Sequence, residues 1–273
     1  MKKTLKILLP YLICLCFVSA GSALAADTIV IKGSTTVLPV AQASAEMYMK
    51  SHPGVNISIS GGGSGNGIKA LIDGTTDIGN ASRFIKDKEV ALANEKGVYP
   101  VPHRIAMDAI IPIVHTDNPV TNLTIEQLSL IYQGKIDNWK EVGGNDMKIV
   151  VVSRDTSSGT YEVWEEKILH KARVTPKAQL QASNGAVVQA VSKNKYAIGY
   201  IGLGYLNKSV KATDVNGIEA SMENALSGKY PVSRPLFMFT KGWPEGIVSD
   251  YINFVLSRSG QDVVKKEGYV PLY

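Results

Sequence analysis

Three short loops of small polar residues, each placed between a strand pattern and a helix pattern, constrain this chain more than any other feature. They read GSTT at 33–36, GSGNG at 63–67 and SSGT at 157–160. Glycine lets the backbone approach a ligand closely, and a helix N-terminus presents unpaired N–H groups and a partial positive charge. In an α/β sheet such loops lie at the carboxyl ends of the strands, where ligands bind. Together the three loops predict an anion site.

The surrounding patterns predict an α/β fold. TIVIKG at 28–33 and VNISIS at 55–60 are strand-like, and helical patterns follow at 37–52 and 68–74. This alternation indicates parallel strands, and the helical face at 37–52 is expected to bury Met47 with its apolar neighbours. Further predicted elements are strands within 104–115, 148–154 and 196–206, a helix at 124–132 with Thr124 as its N-cap, and a long amphipathic helical stretch at 246–268.

Residues 1–25 have the composition of a secretory signal peptide. Three lysines precede an apolar run at 7–20, which is short for a membrane span, and an A-x-A cleavage motif follows at 23–25. Both cysteines, Cys14 and Cys16, lie in this segment, and neither follows a small residue as a lipoprotein cysteine does. We therefore expect a secreted mature chain with no disulfide and no lipid anchor.

Charge and histidine placement argue against two classes of function. Without the signal peptide, 26 basic and 24 acidic residues remain and no long basic run is left, so a nucleic-acid surface is not expected. The histidines at positions 52, 103, 115 and 170 show no paired spacing, so neither a metal site nor a catalytic triad is expected.

An arginine precedes the third loop. Residues 153–160 read SRDTSSGT, and the guanidinium of Arg154 is a planar fork suited to tetrahedral oxyanions. A fourth stretch at 77–90, DIGNASRFIKDKEV, places Ser82 and Arg83 before another helical run. Ser82 is a candidate ligand, and Arg83 is expected to be a surface charge or to lie behind the ligands. Each loop alone could be an ordinary helix cap or turn, but their repetition favours a site.

Eight segments in a fixed order resemble the secreted phosphate-binding proteins of bacterial ABC importers. They are GSTTVLPVA, GGGSGNGIKAL, TDIGNASR, IYQGKIDNWKEVGG, SRDTSSGT, AIGYIGLGYL, YPVSRPLFMFTKG and GYVPLY. The resemblance implies an α/β, two-lobed periplasmic-binding-protein fold of type II, in which each lobe is a central mixed sheet flanked by helices and the ligand lies in the cleft between them. It implies one lobe of 27–112 plus 236–273 and a second of 113–235, with Trp139 in a core.

The same resemblance implies that Thr35, Thr36, Ser64, Arg154, Ser158, Gly159 and Thr160 bind the ligand. Ser34 of the first loop and Ser82 of the fourth stretch complete the candidate set. Some members of the family have an aspartate where this chain has Ser82, and that aspartate accepts the proton of the bound phosphate. The remaining candidates for proton acceptor are Asp155 and Glu162, although a hydroxyl could also accept. Asp155 is expected instead to orient Arg154, and Glu162 could simply be an acid favoured by the helix dipole.

The implied function is high-affinity binding of inorganic phosphate in the periplasm. Closure of the lobes around the anion would precede delivery to the permease subunits of an ABC importer, and we expect a monomer that is not an enzyme and needs no cofactor or metal. Another tetrahedral oxyanion, such as sulfate, molybdate or phosphonate, is the alternative, because the donor set would suit any of them.

Two other hypotheses, a serine hydrolase and a dinucleotide-binding protein, have weaker support. The S-x-x-K motif of a serine hydrolase matches at 192–195, but this match is short and lies in a lysine-rich loop. Ser64 does not fit the G-x-S-x-G motif. A dinucleotide site would use Gly65, Gly67 and Ala70 as G-x-G-x-x-A. That motif begins late in the glycine run, and an exported protein would meet little of such a cofactor.

Overall fold

The computed structural model describes residues 27–273, so the predicted signal peptide and its two cysteines lie outside the described residues. Within 27–273, no helix is both long enough and apolar enough to cross a membrane.

The strands of this part are β1 (Asp27–Gly33), β2 (Val55–Ser60), β3 (Ile78–Ala81), β4 (Pro100–Val114), β5 (Asn122–Leu123), β6 (Val150–Arg154), β7 (Gln179–Gln181), β8 (Ala197–Gly202), β9 (Lys211–Ala212), β10 (Asp214–Val215) and β11 (Ser233–Lys241). The helices are α1 (Leu38–Ser51), α2 (Ser64–Ile72), α3 (Asp87–Glu95), α4 (Ile125–Gln133), α5 (Gly159–Lys167), α6 (Asn184–Ser192), α7 (Met222–Leu226), α8 (Gly246–Leu256) and α9 (Arg258–Lys266), with 3-10 turns at Trp139–Val142 and Leu203–Tyr205.

Local sequence signals account for most of these boundaries. Thr124 caps α4 as predicted, because its hydroxyl accepts the N–H of Gln127 at 3.0 Å while the Gln127 side chain accepts the N–H of Thr124 at 2.9 Å. The long helical stretch near the C-terminus is instead two helices, since Ser257 ends α8 and caps α9. Met47 is 45% exposed, so its predicted burial is wrong, whereas Tyr48 beside it is buried.

One mixed sheet connects most of the strands, in the order β2-β1-β3-β11-β4-β8-β6-β7. Its first three strands are parallel, as the strand–helix alternation predicts. Both neighbours of β11, which are β3 and β4, run antiparallel to it. The parallel units therefore belong to a mixed sheet with helices packed against it, and the predicted α/β class is confirmed.

Buried apolar side chains form three clusters, which we group into two cores joined by β4 and β11. The first core comprises two clusters drawn from residues 29–106 and 236–269, and the second core is one cluster drawn from 109–232 together with Val270. The second core includes Trp139, as predicted, and its indole N–H donates to the carbonyl of Tyr196 at 3.0 Å. Two long strands thus pass from one core to the other, and the lobe boundaries drawn from the sequence stay a prediction.

A contact between two glycines brings the first two polar loops together. A Cβ added at Gly67, in the first turns of α2, would lie 2.6 Å from the Cα of Gly33 and 2.7 Å from the carbonyl oxygen of Lys32. Gly33 has a backbone φ of +135°, which residues that carry a Cβ rarely adopt. The N-terminal part of α2 can therefore pack directly on the end of β1.

Substitution of Gly67 by alanine tests this packing. We expect Gly67→Ala to lower the free energy of unfolding by about 1–3 kcal/mol, because the added methyl meets backbone atoms that cannot rotate away. The gain of about 1 kcal/mol that alanine gives a helix over glycine would offset only part of that loss.

Urea denaturation measures the effect. The matched control is Gly54→Ala, since a Cβ there would meet nothing within 4 Å. A Gly67→Ala protein as stable as the parent would show that the two loops do not need this close approach.

Candidate anion-binding site

The structure buries every predicted ligand residue. The eight that carry side chains, namely Ser34, Thr35, Thr36, Ser64, Ser82, Arg154, Ser158 and Thr160, are each at most 5% exposed, and Gly159 is buried with them. The hydroxyl cluster, which we define as Thr35, Thr36, Ser64, Ser82 and Thr160, draws on four separate stretches of the chain.

Two pairs of hydroxyl groups are in contact within the hydroxyl cluster. The hydroxyl oxygens of Thr36 and Thr160 lie 3.0 Å apart, and those of Ser64 and Ser82 lie 3.3 Å apart. Gly159 fits against the second pair because it has no side chain: a Cβ there would lie 2.4 Å from the Ser64 oxygen. The N-termini of α2 and α5 therefore meet, and donors from both cores point into one small region.

Two of the predicted ligands use their hydroxyl oxygens within their own loops. The Ser158 oxygen accepts the N–H of Tyr161 at 3.2 Å and caps α5. The Ser34 oxygen accepts the N–H groups of Thr36 at 3.1 Å and of Val37 at 3.4 Å. The Ser158 hydroxyl therefore caps a helix and the Ser34 hydroxyl closes a turn, as expected if these loops were ordinary caps and turns. Both hydroxyls keep a proton that can be donated to a ligand.

Arg154 is the cation with the most unsatisfied donor capacity beside the cluster. Its Nε donates to the carbonyl of Gln181 at 2.9 Å and its Nη2 to the carbonyl of Ala182 at 3.0 Å. Its Nη1 is buried and has no partner among the described residues. Burial lowers the pKa of Arg154, but a guanidinium stays charged in proteins. An unpaired charged N–H costs free energy, which an anion could recover.

Asp155 forms no hydrogen bond with Arg154 among the described residues, so its expected role in orienting this arginine stays a prediction. The Asp155 carboxylate accepts the backbone N–H of Ser157 at 2.9 Å and the Ser157 hydroxyl as well. An aspartate followed by a turn readily folds back on its own backbone in this way. The carbonyls that orient Arg154 belong to Gln181, at the end of β7, and to Ala182, the next residue. Strand β7 pairs with β6, and Gln181 lies opposite Arg154.

Glu162 pairs with cations that precede α3. Its Oε2 lies 2.6 Å from the Nε of Arg83 and 2.7 Å from the Nζ of Lys86. Arg83 is 5% exposed and also contacts Glu89 through both of its terminal nitrogens, at 2.8 and 2.7 Å. Arg83 is thus buried between carboxylates rather than exposed at the surface. Which group accepts a ligand proton stays a prediction.

The sequence analysis missed an ion pair on the strands that join the cores. Asp108 of β4 lies directly opposite Arg234 of β11, and the two are 0% and 2% exposed. The Nε and Nη2 of Arg234 donate to the Oδ2 of Asp108 at 3.0 and 2.8 Å. The same Nη2 reaches the hydroxyls of Thr36 at 3.2 Å and Thr160 at 3.0 Å. Burial raises the pKa of Asp108, and the contact with Arg234 opposes that rise.

Asn184, at the N-terminus of α6, was also missed. Its Nδ2 donates to the hydroxyls of Thr35 and Thr36, both at 3.1 Å, and its Oδ1 accepts the N–H of Gly202 at 3.1 Å. The stretch SNGA at 183–186 has the small polar character of the three loops and was a usable signal. A lone acid in AMDAIIPIV and an arginine in SRPLFMF were signals too, since buried charges need partners.

A groove of about 980 Å³ opens beside the hydroxyl cluster. Its walls come from 83–87, from α5 and from 233–235, and Arg234 lines it, whereas no member of the cluster does. The cluster is therefore enclosed in this arrangement. Within 27–273, no group of three or more His, Cys, Asp or Glu side chains could hold a metal ion.

Comparison with known proteins agrees with this geometry. A family model described as a PBP superfamily domain matches residues 18–259. The phosphate-binding protein PstS of Staphylococcus epidermidis is 37% identical over 253 residues, which are 88% of this chain and 77% of that protein. The chain belongs to the PBP superfamily and to its PstS family.

Two solved structures of family members share the fold. A phosphate ABC transporter substrate-binding protein from Clostridium perfringens, with bound phosphate, is 41% identical with a TM-score of 0.85, over 90% of this chain and 100% of that one. An ABC-type phosphate transport receptor from Vibrio cholerae is 34% identical with a TM-score of 0.73, over 89% and 99%. The predicted two-lobed fold of type II is confirmed.

The Arg83–Glu89 pair should make stability depend on pH in the acid range. Burial acts to raise the pKa of Glu89, but the hydrogen bonds from Arg83 and from the N–H of Lys86 outweigh it, so the pKa is lowered in the folded protein. A carboxyl pKa that is lowered on folding stabilises the folded protein at pH values above the unfolded pKa of about 4.3. That stability is lost as the pH falls through the folded pKa.

The free energy of unfolding should fall between about pH 5 and pH 3, and we expect Glu89→Gln to make that fall smaller. Glu95→Gln, an exposed change at the end of the same helix, is the matched control and should leave the parental slope. Urea denaturation at several pH values measures both. A Glu89→Gln protein with the parental pH dependence would contradict the analysis.

Proposed function

We propose that this chain binds inorganic phosphate in the cleft between its lobes and delivers the anion to the membrane subunits of an ABC-type importer. The S. epidermidis relative is named a phosphate-binding protein, and the C. perfringens neighbour holds bound phosphate. The observation that carries the proposal is the buried Nη1 of Arg154, which has no partner among the described residues and stands beside converging hydroxyls and helix N-termini.

The magnitudes favour a rigid set of donors of this kind. Phosphate has five heavy atoms, and the best small ligands gain about 1.5 kcal/mol per heavy atom, which corresponds to roughly micromolar binding. Hydrogen bonds to charged groups, worth about 1.5–3 kcal/mol each, can raise the affinity further. Because carbonyl groups already hold Arg154 in place, little side-chain entropy would be lost when the anion binds.

Closure would bring the two halves of the site together. We infer lobes of 27–112 plus 236–273 and of 113–235, with β4 and β11 crossing between them. The Thr36–Thr160 contact and the Glu162 ion pairs both connect groups from different cores. They support a closed arrangement in which ligand and protein side chains hold the lobes together, and closed protein would dock productively on the permease.

The cellular setting is part of the same proposal. Export by the N-terminal segment would leave a mature chain in the periplasm, as a monomer without lipid anchor or cofactor. The role is binding and delivery, with no catalytic step. The names of the relatives favour phosphate over sulfate, molybdate or phosphonate, but a serine at position 82 makes sulfate the competitor to test.

Calorimetric titration of ligand-stripped protein at neutral pH tests the function. We expect one site that binds phosphate with micromolar or tighter affinity. Arg154→Ala should weaken it about 10- to 150-fold, because one charged hydrogen-bonding group is lost.

Arg173→Ala removes an exposed arginine of the second core's surface and is the matched control. Equal affinity for sulfate would leave an anion site but contradict phosphate specificity. Absence of binding to either ion would contradict the proposed function.

A further inference from the structure

Two of the groups around the hydroxyl of Thr36 can only donate to it. Its oxygen lies 3.2 Å from the Nη2 of Arg234 and 3.1 Å from the Nδ2 of Asn184. A guanidinium has no acceptor, and the orientation of the Asn184 amide is set because its Oδ1 accepts the N–H of Gly202. A hydroxyl has two lone pairs and one proton, so both lone pairs of Thr36 are taken.

The proton of Thr36 is then left to donate. The Thr160 oxygen, 3.0 Å away, is the one other hydrogen-bond partner of the Thr36 hydroxyl among the described residues, and we assign the proton to it. Thr160 also accepts from the Nη2 of Arg234 at 3.0 Å. One Nη2 proton goes to Asp108 and the other is shared between the two threonines, which is a three-centre bond of the usual kind. Both lone pairs of Thr160 are therefore filled as well.

Asp108 fixes the orientation of Arg234 and hence the direction of its hydrogen bonds. Its Oδ2 receives two N–H groups of Arg234 and its Oδ1 receives the N–H of Leu203 at 2.9 Å. The pair is almost fully buried and sits on two hydrogen-bonded strands, so the guanidinium is held against rotation. Arg234 is therefore a fixed donor to Asp108, Thr36 and Thr160, and the direction that we assign to the Thr36–Thr160 bond is the one that gives Thr36 no third donor.

We propose that Arg234, held by Asp108, is a positioning residue that makes the Thr160 hydroxyl a donor to the bound anion and never an acceptor. The inference rests on the proposed function and deepens it. An unprotonated oxygen of the anion must face Thr160, and the proton of a bound hydrogen phosphate must point to another group with a free lone pair. Of the hydroxyls considered as proton acceptors, Thr36 and Thr160 are thereby removed.

A double-mutant cycle on phosphate affinity tests the inference. Thr160→Val removes the hydroxyl at almost constant volume. The neutral pair Asp108→Asn with Arg234→Gln replaces the ion pair without leaving a lone buried charge, and it supplies amide oxygens toward which the Thr160 proton can turn. We expect Thr160→Val to weaken phosphate binding about 5- to 10-fold in the native background and less than about 2-fold in the neutral-pair background.

Equal losses in the two backgrounds would overturn the inference, because they would show that Arg234 does not act through Thr160. Two controls are matched in chemistry. Thr213→Val alters a buried threonine outside the site, and Lys140→Gln with Asp146→Asn neutralises an exposed ion pair. Neither should change the cost of Thr160→Val.

The outcomes separate this inference from the proposed function. If the native protein binds no phosphate, both fail. If it binds phosphate and the losses are equal, only the role of Arg234 fails. Should the neutral-pair protein not fold, neutron diffraction of the native protein with bound phosphate decides. A deuteron on Thr160 directed at a phosphate oxygen supports the inference, and one directed at Thr36 or carried by the phosphate oxygen overturns it.

Discussion

The buried pairing of Asp108 with Arg234 is the contact on which the arrangement of the site depends. It lies on β4 and β11, the two strands that pass between the cores, at the point where Ala106 belongs to one core and Ala109 to the other. A buried ion pair is costly unless its hydrogen-bonding capacity is met. Here the carboxylate is fully engaged, while the guanidinium extends to threonines from both sides of the cleft.

The buried arginines beside the hydroxyl cluster have more donors than the protein satisfies. Among the described residues, the Asp108 carboxylate is the one that forms hydrogen bonds with either Arg154 or Arg234, although the charge of Asp155 also acts on Arg154. Each arginine also keeps a buried nitrogen without a partner among the described residues. Helix N-termini add partial positive charge. An anion would meet the unpaired donors and the partial positive charge of the helix N-termini together, which is why phosphate suits this site better than a neutral ligand.

Local chemistry explains what could be predicted. The capping box at Thr124, the strand patterns and the three polar loops depend on neighbours within a few residues, so they can be read directly from the chain. The hydrogen bonds of Asp155 could not be predicted for the opposite reason: the neighbouring Arg154 donates to carbonyls at another strand, and Asp155 accepts from Ser157. Adjacency along the chain does not decide which way a side chain points.

The sequence by itself determined the small polar helix starts, the buried strands and the family to which the chain belongs, because these depend on short-range spacing and on motifs in order. Only the tertiary structure decided that Asp108 meets Arg234 and that Asn184 meets Thr36, since these partners lie 126 and 148 residues apart. Hydrogen-bond direction is also a tertiary property. A hydroxyl becomes a donor when other groups have filled its lone pairs, and those groups come from strands and helices that only folding brings together.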